Sequence, residues 1–334
     1  MMDYQNFGVI GAGAWGTALA QSLATGGRDV TLWAFENECV DSINNENTNK
    51  LYLPDARLSP KIKATQDLKS LAECDALLSV VPAQHTRRTL AELKGVDALY
   101  GKPVILCSKG IEISTREFMS DVLQETLPNV VPAVLSGPSF AIDVAKGLPT
   151  AVTLACEDKE IGEALVEAVA APTFRPYLST DVLGAEIGGA VKNVLAIACG
   201  MVLGMELGRS AHAAIIARGF AEMRRLGVAL GCEPETLTGL CGLGDLVLTC
   251  SSEQSRNMSC GLALGRGESL DDILGARNSV TEGVASAPAL KEMAAKLNVD
   301  MPISAVVADI LSGDMDIQNA LITLLSRVHK TEVL

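Results

Sequence analysis

Aromatic residues are scarce in this chain of 334 residues, at 4%, and histidine occurs only three times. A core with so few rings is built from Ala, Leu, Val and Gly, which suits packed helices and a buried parallel sheet. Disorder is excluded by the balance of 48% apolar to 20% charged residues. Cations are also short: 27 Lys and Arg face 40 Asp and Glu, a formal charge of −13. That sign argues against nucleic acid or insertion at an anionic membrane, both of which call for a basic footprint. An anionic substrate would need local cations. The nine cysteines form no CxxC pair and no ligand spacing with the histidines, so no metal is expected and the thiols are read as reduced. The opening "MMDYQNF" has neither a basic region nor an apolar one; a signal peptide is not expected, and the protein is read as cytoplasmic. There is a single long apolar run, residues 187–205, about the length of a spanning helix. Lys192 and four glycines lie inside it and Glu186 just before it, which favours a buried helix of a soluble domain.

What is present is an alternation of short apolar runs with helical patterns. Residues 7–10, 30–33, 76–81, 104–107, 133–135 and 151–155 read as strands. Beyond about Asp181 strand signals stop, and helices are expected over residues 182–207, 211–230, 258–264, 288–297, 304–312 and 319–327. The fold class that follows is α/β: an N-terminal Rossmann-like, mostly parallel sheet in residues 1–185 and a C-terminal all-α domain in residues 186–334.

"GVIGAGAWG" places Gly11, Gly13 and Gly16 directly after the first strand and at the head of a helix. In that setting the glycines permit a tight turn, close approach of a pyrophosphate and close helix packing, so a dinucleotide is expected. Glu36 follows Gly16 by twenty residues, where a carboxylate accepts hydrogen bonds from ribose hydroxyls and repels a 2′-phosphate. NAD is therefore favoured over NADP, although Glu36 equally suits a solvated helix start.

Ligands of an open parallel sheet sit beyond the carboxyl ends of its strands. Lys109, in "CSKGIE", follows its strand at once and points to that edge, though a loop lysine is often merely solvated. Lys192 stands alone in an apolar helix with Gly188 and Gly189 on the same face, which would leave space for a ligand. Burial there lowers the pKa of a lysine toward the range of a general base. In "GLGDLVL", Asp245 enters an apolar run and wants a cation, with Lys192 as a candidate. Ser255, Arg256 and Asn257 open a helix, where a guanidinium, free N–H groups and short polar side chains suit a phosphate; a helix cap beside a surface arginine is the alternative.

These stretches, with "NTNKLYLP", "VVPAQ", "SGPSFA", "ARGFAEMRRLG" and "VTEG", make the chain resemble the bacterial glycerol-3-phosphate dehydrogenases over essentially its whole length. The resemblance implies a nicotinamide-dependent interconversion of sn-glycerol 3-phosphate and dihydroxyacetone phosphate that supplies the phospholipid backbone, by a cytosolic enzyme that is commonly a homodimer. It implies Lys192 as proton acceptor, with Lys109, Asp245 and Thr249 around the reacting carbinol. Gly137, Ser139, Ser255, Arg256 and Asn257 would contact substrate. Ala14, Trp15, Phe35, Ala141, Val280 and Glu282 fall at cofactor positions, and Lys109 and Arg256 would touch both ligands. Many members have serine at the position of Ala14 and a basic residue near Phe35, and both departures again favour NAD. The rivals are a dehydrogenase of the 6-phosphogluconate or ketopantoate type, and a nicotinamide-binding sensor without catalysis.

Overall fold

The computed structural model describes residues 3–276, 280–328 and 331. The strands are β1 (Asn6–Ile10), β2 (Asp29–Trp33), β3 (Thr48–Asn49), β4 (Leu53–Arg57), β5 (Ile62–Thr65), β6 (Ala76–Ser79), β7 (Pro103–Leu106), β8 (Val131–Ser136), β9 (Thr150–Ala155) and β10 (Phe174–Ser179). Helices of the first part are α1 (Ala14–Thr25), α2 (Asn37–Glu46), α3 (Ala83–Ala91), α4 (Met119–Thr126), α5 (Ala141–Ala145) and α6 (Lys159–Val169). From there the chain is helical: α7 (Val182–Gly204), α8 (Gly208–Ala229), α9 (Pro234–Thr238), a wide turn over Leu240–Gly244, α10 (Asp245–Cys250), α11 (Arg256–Gly265), α12 (Leu270–Gly275), α13 (Glu282–Lys296), α14 (Pro302–Ser312) and α15 (Ile317–Leu325).

Two compact units result. One comprises Met1–Ser108 and Phe118–Glu186, the other Lys109–Glu117 and Ile187–Leu334. The first holds an eight-stranded sheet in the order β10-β9-β8-β7-β6-β1-β2-β5, parallel except between β8 and β9. Strand β1 is flanked by β2 and β6, so the chain order reverses beside it, where such sheets bind ligands. The central strands β6 and β7 are buried throughout, which is why they read as plain apolar runs. A separate hairpin, β3–β4, stands outside the sheet.

The second unit is built on close helix contacts. A Cβ on Gly200 would lie 2.1 Å from the Met258 carbonyl oxygen, and one on Gly261 2.0 Å from that of Ile197. Only glycine lets α7 and α11 approach backbone to backbone. Helix α7 is long and apolar enough to cross a membrane, and 83% of its most apolar window is buried inside the fold.

Buried carboxylates fix two helix starts. Glu186 accepts from the amide (2.8 Å) and hydroxyl (2.5 Å) of Ser120 at the head of α4. Glu222 accepts from the amides of Ile303 (2.6 Å) and Ser304 (3.0 Å) at the head of α14. Burial pushes both carboxyls up to about 7.

Candidate functional site

In the first unit the three glycines of the β1–α1 loop do different work. Gly11 has φ +111°, a conformation that side chains avoid. A Cβ on Gly16 would sit 1.9 Å from the Gly11 carbonyl oxygen, so α1 can start here only with glycine. Gly13 has an ordinary φ of −63° and a Cβ there would meet nothing within 4 Å. Its missing side chain serves no contact within the protein. What it leaves is an open approach to the first turn of α1, whose N-cap makes no side-chain bond. These residues fit a pyrophosphate held by helix N–H groups. The Nε1 of Trp15, in the same turn, is a buried donor with no acceptor among the described residues.

The loop is braced from outside the motif. The Gly11 amide donates to the Trp33 carbonyl at 3.0 Å, tying the loop to the end of β2. The fully buried Asn49 donates to the carbonyl of Ala12 at 2.7 Å and the hydroxyl of Thr17 at 2.8 Å. Beyond β2, Phe35 is exposed, its ring edge-on to Trp33 at 6.5 Å. Glu36 is the N-cap of α2, yet it makes no cap bond; its Oε1 accepts from the Tyr52 hydroxyl at 2.8 Å. Gly137 (φ +149°) and Ser139 lie in the turn after β8, and Ala141 opens α5, which packs on α1.

In the second unit, Asp245 holds two lysines. Its Oδ2 is 2.7 Å from the Nζ of Lys109 and its Oδ1 is 3.0 Å from the Nζ of Lys192. Thr249, one turn on along α10, accepts from Lys192 Nζ at 2.7 Å and donates to Asp245 Oδ1 at 3.2 Å. Side-chain exposure is 2% for Asp245, 8% for Lys192 and 16% for Lys109. Burial pushes the Lys192 ammonium down to about 8, against the pull of Asp245 and with the repulsion of Lys109. Burial alone would raise Asp245, but the two lysines hold it below its ordinary value. The result is an ionised carboxylate that keeps two cations side by side, one of them near its titration point at neutral pH.

A buried amide relay supports this cluster. Asn193 Nδ2 donates to the Lys109 carbonyl and Asn257 Nδ2 to Asn193 Oδ1, both at 2.9 Å. Asn257 Oδ1 accepts from the Gly283 amide at 2.9 Å, beside Glu282 at the head of α13. Two expectations change accordingly. Asn257, expected to bind a phosphate, is an internal tie through both its Nδ2 and its Oδ1. Gly188 leaves no ligand space: a Cβ there would be 2.4 Å from the Cys241 carbonyl oxygen, so it serves helix packing. Ser255 caps α11 by accepting from the Met258 amide at 3.2 Å, and Arg256 follows it, exposed. Val280 is 40% exposed. All nine cysteines are buried and free. Among the described residues no group of three or more His, Cys, Asp or Glu is placed to hold a metal ion.

Sequence reasoning missed Asn193, Asn49 and Tyr52 as members of these networks. Asn193 had a signal in its position next to Lys192; the other two partner residues distant in the chain.

Comparison with known proteins agrees along the whole chain. Residues 6–162 match the family described as NAD-dependent glycerol-3-phosphate dehydrogenase N-terminus, and residues 181–322 the corresponding C-terminus. The chain is 62% identical over 332 residues, 99% of each chain, to the glycerol-3-phosphate dehydrogenase [NAD(P)+] of Maricaulis maris. It is 60% identical over 329 residues, 98% of each chain, to that of Hyphomonas neptunium. Among solved structures, the glycerol-3-phosphate dehydrogenase of Coxiella burnetii superposes with a TM-score of 0.91 at 39% identity, covering 97% of this chain and 99% of its own.

Proposed function

The chain belongs to the NAD-dependent glycerol-3-phosphate dehydrogenase family, and from that premise we propose how its own residues carry the reaction. The enzyme interconverts sn-glycerol 3-phosphate and dihydroxyacetone phosphate with NAD or NADP. The observation that carries the reading is the pair of lysines clamped by Asp245.

When bound, the nicotinamide supplies or takes the hydride at C2 of the substrate. In the reductive direction Lys192 gives its proton to the C2 oxygen, and in the oxidative direction the neutral amine removes it. Lys109, fixed by the same carboxylate, offsets the charge that develops on that oxygen. Asp245 stays ionised, since Lys109 still faces it when Lys192 is the free amine. Thr249 keeps the Lys192 ammonium in one rotamer by accepting from it. Ser255, Arg256 and Asn257 at the head of α11 anchor the substrate phosphate, and binding energy from this unreactive group orients the carbinol. Gly137 and Ser139 complete the substrate contacts.

The glycine loop, with Ala14 and Trp15, receives the pyrophosphate. Phe35 and Glu36 receive the adenosine end, and Glu36 favours NADH by accepting from the ribose diol. Ala141, Val280 and Glu282, with Lys109 and Arg256, complete the cofactor contacts. We read the enzyme as a cytoplasmic homodimer that supplies the glycerol phosphate of phospholipids. Burial of α7 supports a helix that stays within the fold and does not span a membrane.

The test is the initial rate of nicotinamide oxidation with dihydroxyacetone phosphate, run in parallel with NADH and NADPH. Turnover with an NADH preference is expected. Turnover with an NADPH preference removes the role given to Glu36, and no turnover with either removes the reaction.

A further inference from the structure

The turn between β3 and β4 carries Tyr52, a residue of the "NTNKLYLP" stretch to which sequence assigned no role. Glu36 occupies the N-cap of α2, where a carboxylate would ordinarily accept from the first helical amides. It does not do so. Its side chain reaches out of the cap, and Oε1 accepts from the hydroxyl of Tyr52, 16 residues on, at 2.8 Å. Tyr52 is itself held in place. Its amide donates to Asn49 Oδ1 at 3.2 Å, and the same Asn49 ties the hairpin to Ala12 in the glycine loop and to Thr17 in α1. The Ser42 hydroxyl donates to the Thr48 carbonyl at 2.8 Å, fastening α2 to the hairpin. Pyrophosphate loop, hairpin and Glu36 therefore form one framework.

We propose that Tyr52 is a specificity-determining residue for the cofactor, fixing the Glu36 carboxylate in place so that it receives a ribose diol and rejects a 2′-phosphate. The proposal rests on the reading of the protein as a nicotinamide-dependent dehydrogenase that prefers NADH. A free glutamate has three rotatable bonds and turns away from an approaching phosphate at small cost. One held by a phenol cannot yield without breaking a charge-assisted hydrogen bond, so the repulsion is felt in full. A phenol donates a single hydrogen, to one carboxylate oxygen, and the rest of the acceptor capacity of the carboxylate serves the diol. Burial, the bond to Glu36 and its charge push the Tyr52 hydroxyl up to about 12, so it remains a donor across the working range of pH. Discrimination thus comes from pre-organised repulsion as much as from attraction.

The experiment measures dissociation constants of NADH and NADPH, without substrate, by quenching of protein fluorescence. Wild type, Tyr52→Phe, Glu36→Gln and the double variant are compared. Wild type is expected to favour NADH. Tyr52→Phe, which keeps the ring, should narrow the NADH to NADPH ratio by about threefold to tenfold, the worth of one hydrogen bond. Glu36→Gln should narrow it further, and the double variant should match Glu36→Gln alone, because Tyr52 acts through Glu36. An unchanged ratio in Tyr52→Phe, or effects that add in the double variant, overturns the proposal while the NADH reading stands on Glu36→Gln. A wild type that favours NADPH, with Glu36→Gln neutral, overturns both. Should Tyr52→Phe melt early, Glu36→Asp keeps the charge but is one methylene shorter, and it should narrow the ratio in the same sense; an unchanged ratio there also overturns the proposal.

Discussion

Lys192 is among the most deeply buried cations of the described chain, and its proton is correspondingly loose. Burial brings it down to about 8 from an ordinary 10.5, Asp245 pulls it back up and Lys109 pushes it down again. The sign of the pH dependence follows. Reduction of dihydroxyacetone phosphate uses the protonated amine, so reductive kcat/KM should fall as pH rises through about 8; oxidation uses the free amine and should rise over the same interval. Asp245→Asn removes the group that raises the pKa and leaves Lys109, which lowers it, so the limb should move to lower pH. Lys192→Ala should abolish the limb and lower kcat by about a hundredfold or more, with the NADH dissociation constant nearly unchanged. Rate profiles in both directions across pH 6 to 10, roughly two units either side of the expected limb, check this. A limb that survives in Lys192→Ala would assign it to another group. The pairing of Lys192 with Asp245 was legible in sequence because a lone lysine in an apolar helix and an aspartate entering an apolar run are each costly without a partner. Asn49 and Tyr52 lie in the "NTNKLYLP" stretch, but their roles were not legible, since their partners lie 37 and 16 residues away in the chain.

Elements followed the same logic. The central strands of the sheet were readable as apolar runs because both faces are buried. The strands at its two edges, β5 and β10, alternate between buried and exposed residues in polar surroundings and escaped notice, and β10 also contains Pro176. Helix α13 starts six residues before its expected beginning at Pro288, which lies within it. The β1–α1 unit was the clearest of all, and its glycines can be separated by experiment. Gly16→Ala puts a methyl group 1.9 Å from the Gly11 carbonyl oxygen, and should cost about 2 kcal/mol or more of stability. Gly13→Ala meets no protein atom within 4 Å and keeps an allowed φ. It should leave the melting temperature nearly unchanged while weakening NADH binding by about tenfold or more, since the methyl occupies the approach to the helix N-terminus. Melting curves and NADH titration of the two variants decide it. A Gly13→Ala protein that binds NADH normally would remove the pyrophosphate from this loop.

At the scale of the molecule, the chain does not divide at one point. It leaves the sheet-bearing unit after Ser108 and returns at Phe118, and the intervening Lys109–Glu117 segment is part of the helical unit. Lys109 therefore belongs structurally with Lys192 and Asp245, although it follows a strand of the other unit. A single cut near residue 185 could not express this, because hydrophobic patterning describes elements and not the company a loop keeps. The segment is tethered at both ends. Asn193 and Asp245 hold Lys109, and Arg116 makes a two-pronged pair with Glu292 of α13 at 2.8 and 2.9 Å. Between them the buried Glu112 accepts from the Thr115 hydroxyl at 2.7 Å. Arg116 also has φ +68°, a left-handed conformation that costs energy for any residue with a side chain. Its ion pair with α13 helps hold it there. Arg116→Ala removes the tether and keeps the backbone cost, so Lys109 should be less well fixed and kcat should fall about twofold to fivefold, the modest range of an exposed pair. Arg116→Gly relieves the backbone and should lose less. Equal rates for wild type and both variants would show that Asn193 and Asp245 suffice to hold Lys109, and that the Arg116 pair is a surface contact without a part in positioning it.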